Sequence, residues 1–153
     1  MKSTVNHFKA VLPAKSINEG FSRSLISSFI AQLDPTIEEL CDIKTAVSEA
    51  VTNCIVHAYR DDFPESKRLI YITAEYSADS TLTVKIKDKG CGIADVKKAL
   101  EPMYSGSGSD ERSGMGFSIM ECFTDKMVVY SKPGKGTTVT LKKRIGTQND
   151  SKH

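Results

Sequence analysis

Between Ile17 and Leu33 the apolar residues fall on a period of four, and between Leu82 and Ile86 they fall on a period of two. That change of period limits the fold more than any other feature of the chain. Ile17, Phe21, Leu25, Phe29 and Leu33 keep helical register, with Ile26 and Ile30 beside them, as in an amphipathic helix. Leu82, Val84 and Ile86 alternate with Thr83, Lys85 and Lys87, as in a half-buried strand. A chain that holds both must stack a helical layer on a sheet. At about 100° per residue, the apolar arc of the first helix covers more than half its circumference. One sheet face needs a narrower stripe, so the surplus predicts burial on a second side, against a second subunit.

The rest of the chain extends the same pattern. Residues 5–12 are rich in strand formers and stop at Pro13. Ser16 with Glu19, and Thr36 with Glu39, are spaced as capping boxes at two helix starts. Asp34-Pro35 separates the two helices, and the second is expected to run to about Tyr59, with Leu40, Ile43, Val47, Val51 and Cys54 as its core stripe. Residues 69–76 and 82–86 flank the turn Ala78-Asp79-Ser80 as a hairpin. A short helix over 95–101 is halted by Pro102, and 105–110 is a polar Ser/Gly segment. A helical stretch over 117–123 precedes a second hairpin, 127–130 with 137–141, turned at Pro133-Gly134. The order β-α-α-β-β-α-α-β-β predicts an α+β fold: a two-layer α/β sandwich with a mostly antiparallel mixed sheet and helices on one face. Residues 1–145 are expected to form the domain and 146–153 a flexible polar tail.

Composition excludes several functions. The 153 residues suit one domain. Twenty-one Lys and Arg against nineteen Asp and Glu leave a formal charge of +2, too balanced for a coat on nucleic acid or an anionic membrane. No Trp is present and aromatics are 7%, so stacking platforms for single strands are sparse. Cys41, Cys54, Cys91 and Cys122 form no CxxC pair, and three lie in apolar segments. They are expected to be buried free thiols of a reducing compartment. His7, His57 and His153 have no metal-ligand spacing. No apolar stretch follows Met1-Lys2 and no run is long enough to span a bilayer, so a soluble cytoplasmic protein is expected. Gly90-Cys91-Gly92 and Gly114-Met115-Gly116 lack the third glycine of a Rossmann loop, and Gly134-Lys135-Gly136 lacks P-loop spacing. No GxSxG elbow and no eukaryotic-type kinase signature occurs.

Three short patterns remain. Glu49 and Asn53 are four apart, hence on one helical face, roughly opposite the apolar stripe. Asp88-x-Gly90-x-Gly92 follows a strand, where a carboxylate can accept from an exocyclic amine and glycines let a ligand approach. Ser113-Gly114-Met115-Gly116 opens a helix, whose free N–H groups suit phosphate. Taken singly, each also fits a solvated helix face, a turn or an ordinary helix start. In this order, with a polar loop between the second and third, they resemble the N, G1 and G2 boxes of the GHKL ATPase/kinase superfamily. Residues 29–36, 43–53 and 111–117 are further similar to the anti-sigma F factors of endospore-forming bacteria, and the resemblance runs from about Phe8 to Leu141.

The resemblance implies the Bergerat fold and an ATP-dependent serine protein kinase. Such a kinase sequesters a sporulation sigma factor of the sigma F type and phosphorylates an anti-anti-sigma protein. It acts as a homodimer, without touching nucleic acid or membrane. Carried over residue by residue, Asn53 would bind Mg²⁺ and Glu49 would be the general base. Asp88 would accept from the adenine amine, with Gly90 and Gly92 making room for the base. Ser113, Gly114, Met115 and Gly116 would hold the phosphates, and Thr137 would lie beside adenine. Arg112 would stabilise the transferring phosphoryl group and meet the partner. Arg23 would dock the partner. Two other readings share these boxes: a general stress-response anti-sigma kinase, and a nucleotide-gated sigma-binding protein with weak or no kinase activity. The departure is in the loop, where Ser107 and Gly108 stand in place of the family's Lys-Pro pair.

Overall fold

The computed structural model describes residues 3–101 and 116–146. Strand β1 (Thr4–Pro13) leads into helix α1 (Ile17–Ile30), a short 3₁₀ turn and helix α2 (Ile37–Asn53). Strands β2 (Leu69–Ser77) and β3 (Thr81–Asp88) follow as a hairpin, then the one-turn helix α3 (Val96–Ala99). Helix α4 (Gly116–Cys122) precedes the second hairpin, β4 (Lys126–Lys132) and β5 (Gly136–Arg144). The strands form one sheet in the order β1-β2-β3-β5-β4. All four pairings are antiparallel, so the expected mixed character is absent among the described residues.

The alternation seen in the sequence sorts the two faces of this sheet. Ile70, Ile72, Ala74, Leu82, Val84, Ile86, Val139 and Leu141 are buried against the helical layer. There they meet Ile26, Phe29 and Ile30 of α1 and Ile43, Val47 and Val51 of α2. The other face presents Lys9, Lys85, Lys87, Lys126 and Lys142 to solvent. Helix α2 lies between α1 and α4 and packs on both. No helix among the described residues is long and apolar enough to cross a membrane.

The two predicted capping boxes have different fates. Thr36 is extended (φ −70°, ψ 162°) and both of its reciprocal bonds with Glu39 form. Ser16 is already helical (φ −58°, ψ −30°) and makes no side-chain cap bond. A capping side chain must leave an extended residue to reach the N–H groups ahead of it, so the expected Ser16–Glu19 box does not form. The α-helical path of α2 also ends earlier than expected. It gives way to a π-helical turn, Cys54–Ala58. Only Cys54 of the four free cysteines is buried; Cys41 and Cys122 are exposed and Cys91 is half-buried. The expectation of uniformly buried thiols is therefore corrected. The Ser/Gly segment 105–110 and residues 147–153 lie outside the described residues.

Candidate nucleotide site

A cleft opens between α2, the end of β3, β5 and the start of α4. Asn53, Cys54, Asp88, Gly92, Phe117 and Thr137 are among its walls. Asp88 is only 5% exposed, so its carboxyl depends on protein donors. Its Oδ1 accepts from the Gly90 N–H at 2.9 Å and the Thr137 N–H at 3.3 Å. Its Oδ2 accepts from the Cys54 thiol at 3.6 Å. Burial, and then the charge of Asp88, push the Cys54 pKa well up, which keeps the thiol a donor. The carboxyl is thus fixed from three sides, an arrangement suited to reading one amine on a flat ring.

The loop after Asp88 is held by the π-helical turn on one side and the β4–β5 hairpin on the other. The Cys91 N–H donates to the Ala58 carbonyl at 2.7 Å, and the Gly134 N–H to the Cys91 carbonyl at 2.7 Å. A Cβ on Gly90 would stand 2.0 Å from that Ala58 oxygen. Gly90 therefore makes room for the backbone of the π-helical turn, whereas the expectation had it make room for a ligand. Gly92 has φ +75°, and a Cβ there would stand 2.0 Å from the Lys132 oxygen, so both conformation and space require glycine. Tyr59 ties the same region together: its hydroxyl donates to the Leu69 carbonyl at 2.5 Å and accepts from the Lys89 N–H at 2.9 Å.

Thr137 meets the site through its backbone N–H on Asp88, while its hydroxyl shares a 2.8 Å bond with Ser131. Ser131 also donates to the Gly136 carbonyl at 3.0 Å and accepts from the Ile93 N–H at 2.8 Å. Tyr59 and Ser131 were not singled out from the sequence, and Cys54 was read only as a core thiol. Tyr59 holds the Lys89 N–H next to Asp88 and Ser131 holds the Thr137 hydroxyl, while Cys54 bonds Asp88 from the cleft wall, and no local spacing marks such positions.

Glu49 and Asn53 share a face of α2, as their spacing predicts. That face is half-buried, because α4 packs against it. A Cβ on Gly116 would lie 3.7 Å from Glu49 Oε2 and 3.8 and 3.9 Å from the Asn53 carboxamide nitrogen and oxygen. The Asn53 Nδ2 is buried without a hydrogen-bond partner among the described residues. Burial, and then the charge of Glu19, raise the Glu49 pKa above the ordinary carboxylate value. Arg23, on α1, lines a groove with Lys44, Ser48 and Glu49. Arg112, Ser113, Gly114 and Met115 lie outside the described residues. Of the remaining candidates, the fold gathers Asn53, Asp88, Gly92 and Thr137 around one cleft and sets Gly116 against Glu49 and Asn53.

An α+β sandwich in which a helical asparagine, Asn53, and a strand-end aspartate, Asp88, line one cleft fits one class, the ATPase domain of the histidine kinase type. Residues 13–143 match the family described as histidine kinase-like ATPase domain. Among curated relatives, the anti-sigma F factor of Clostridium perfringens (strain SM101) is 51% identical over 142 residues, covering 93% of this chain and 99% of the relative. That of Caldanaerobacter subterraneus subsp. tengcongensis is 50% identical, covering 87% and 90%. The chain belongs to the anti-sigma F factor family. Two solved structures share the fold at low identity. The RsbU and RsbW domains of a Mycobacterium tuberculosis protein match with TM-score 0.66 at 19% identity, over 92% of this chain and 33% of that one. The SiaB–SiaC complex of Pseudomonas aeruginosa matches with TM-score 0.64 at 8% identity, over 91% and 89%.

Proposed function

We propose that this chain is an anti-sigma factor and ATP-dependent serine kinase. It sequesters a sigma factor of the sigma F type and phosphorylates a serine of the anti-anti-sigma protein that displaces it. The observation that carries this reading is that Asn53 belongs to both halves of the site: it lines the cleft holding Asp88, and with Glu49 it faces Gly116. Adenine recognition and phosphoryl chemistry are thereby joined through one residue.

Asp88 accepts the adenine amine, and its three donors hold it in that orientation. Thr137 and Gly92 bound the ring. Glu49 takes the proton from the attacking serine hydroxyl as the serine oxygen bonds to the γ-phosphorus and the bond to the β-bridging oxygen breaks, releasing ADP. Desolvation makes Glu49 a stronger base than an exposed carboxylate. Gly114 and Gly116, with Ser113 and Met115, supply backbone N–H groups to the phosphates, and Arg112 supplies charge to the transferring group.

Mg²⁺ fits the donor set here. Asn53 offers an amide oxygen, and Mg²⁺ draws few ligands from protein and the rest from phosphates and water. The orphaned amide end of Asn53 supports this, since a half-turn of the carboxamide exchanges its nitrogen and oxygen. The bound ion would neutralise phosphate charge. Arg23 docks the protein partner, and two copies pair through the exposed apolar side of α1.

Incubation with Mg·ATP and an unphosphorylated anti-anti-sigma protein should yield phosphoserine with wild-type chain and almost none with Glu49→Gln. Equal product with both chains, or none with a wild type that binds ATP, would sink the kinase half of the reading.

A further inference from the structure

The formal charge of +2 hides an uneven distribution. On its strands, the open face of the sheet carries Lys9, Lys85, Lys87, Lys126 and Lys142, all exposed. Its one strand carboxylate is Glu75, which already accepts from the Thr4 hydroxyl at 2.5 Å. Lys143, the β5 lysine turned toward the helical layer, has a carboxylate of its own, with Nζ 3.6 Å from Asp42. Among the described residues, none of the five open-face lysines is in an ion pair.

The register makes this arrangement unfavourable for the free protein. Lys126 stands directly opposite Lys142 across β4 and β5, and like charges directly opposite destabilise a sheet. Lys85 and Lys87 are two apart on β3, hence on one side of it. One row across the strands runs Val11, Tyr71, Lys87, Thr138 and Tyr130, and the next puts Lys9 and Lys85 in line with Val128. Cations therefore hold the middle of the face, while the exposed apolar side chains Val11, Val128 and Tyr130 stand on the two edge strands.

We propose that the open sheet face docks an acidic segment of a protein partner, with carboxylates on Lys85, Lys87 and Lys142 and apolar side chains against Val128 and Tyr130. Charge complementarity carries this: the face lacks carboxylates, and the partner supplies them. Five strands of seven to ten residues make a face of roughly 600 Å². That is near the roughly 800 Å² per partner of a standard protein interface, on the side of transient, charge-steered contacts. A single-stranded nucleic acid fits less well, because it needs stacking platforms. The Tyr71 ring lies under the Lys89 ammonium, 4.8 Å from its centre, which leaves Tyr130. A bilayer fits less well too, since lysines separate the apolar side chains of the two edges. The helical layer lies on the opposite side of the sheet, so a protein docked here leaves Arg23, the apolar side of α1 and the nucleotide cleft free.

The test is the fluorescence anisotropy of a labelled random copolymer of glutamate and tyrosine, titrated with nucleotide-free full-length chain. Polyglutamate and a single-stranded DNA of matched charge are compared in the same way, and vesicles of phosphatidylserine and phosphatidylcholine by flotation. The copolymer should bind the wild type most tightly. Lys85→Glu with Lys87→Glu should weaken it by about tenfold or more, since like charges then meet. Lys67→Glu with Lys98→Glu makes the same change of charge away from the sheet and should weaken it far less. Tyr130→Ser should remove the preference for the copolymer over polyglutamate. Lys142→Glu should weaken binding and raise the melting midpoint of the free protein, because it sets opposite charges across β4 and β5. Equal loss in the two double variants would reduce the effect to net charge and overturn the proposal. So would DNA or vesicles bound as tightly as the copolymer, or a wild type that binds none of it. Thermal melts and unchanged ATP binding report that each variant is folded. Should Lys85→Glu with Lys87→Glu fail to fold, Lys85→Thr with Lys87→Thr keeps strand-forming residues in β3 and should also weaken binding.

Discussion

Glu49 and Asp88 are both carboxylates in one site, and the fold treats them in opposite ways. Asp88 receives two backbone N–H groups and a thiol. Glu49 receives burial and the nearby charge of Glu19. The first is fixed as an acceptor, and the second is made uncomfortable as an anion. Asp88→Asn puts a donor where an acceptor is needed, against the Cys54 thiol or the adenine amine. ATP affinity should fall by about tenfold or more, the cost of roughly one hydrogen bond turned repulsive, as calorimetry can measure. Glu49→Gln should lower kcat by roughly 10²–10⁴-fold while leaving ATP affinity nearly unchanged. The same substitution should stabilise the protein at neutral pH. A carboxyl whose folded pKa is raised binds its proton more tightly when folded. Its favourable contribution is present below the unfolded value and is lost as pH rises through the folded one. At pH 7 the ionised Glu49 is therefore a burden that glutamine removes. A higher melting midpoint is expected at pH 7, with the gain vanishing below about pH 4. A midpoint that falls at pH 7 would contradict this account of Glu49.

At the scale of elements, the two capping boxes carry the lesson. Thr36→Ala removes the N-terminal acceptor of α2 and should cost about 1 kcal/mol, seen as a midpoint lower by about 2–4 °C. Ser16→Ala should cost far less, because Ser16 makes no cap bond. The sequence pattern is the same at both places. What differs is the tertiary demand on the second partner: Glu39 has the cap, while Glu19 is taken by Arg23 and Ser48. Element type and order were legible because apolar period is a local property repeated many times along each segment. Asn53, Asp88 and Gly92 were legible because each sits at a fixed spacing inside a short pattern. The end of α2 was not, because its apolar repeat continues through Ile55 and Ala58 while the backbone widens into a π-helical turn. That turn matters for the site, since it aims the Ala58 carbonyl at the Cys91 N–H. Gly90 is its counterpart. Gly90→Ala drives a Cβ to 2.0 Å from the Ala58 oxygen, so the loop must shift. About 1–3 kcal/mol of stability should be lost, together with ATP binding, although Gly90 itself does not line the cleft.

At the scale of the whole molecule, the question is where a second copy can pack. The open sheet face bears Lys9, Lys85, Lys87, Lys126 and Lys142 beside the exposed Val11, Val128 and Tyr130, and its lysines oppose pairing with a like face. The helical side is different. Ile17 is 80% exposed and Phe21 is 50% exposed, and they stand one turn apart on α1. They are the surplus of the wide apolar arc of α1, and the core does not use them. The twofold packing that suits a small homodimer joins like patches to like, and an apolar patch can do so without the repulsion of the lysine face. On the pairing proposed through α1, Ile17→Glu with Phe21→Glu should sediment as a monomer where the wild-type chain sediments as a dimer. Both side chains are already largely in water, so the melting midpoint of the monomer should be little changed and ATP should still bind. A variant that remains dimeric would move the interface away from α1. A variant that loses ATP binding as well would mean that the second copy helps to build the site.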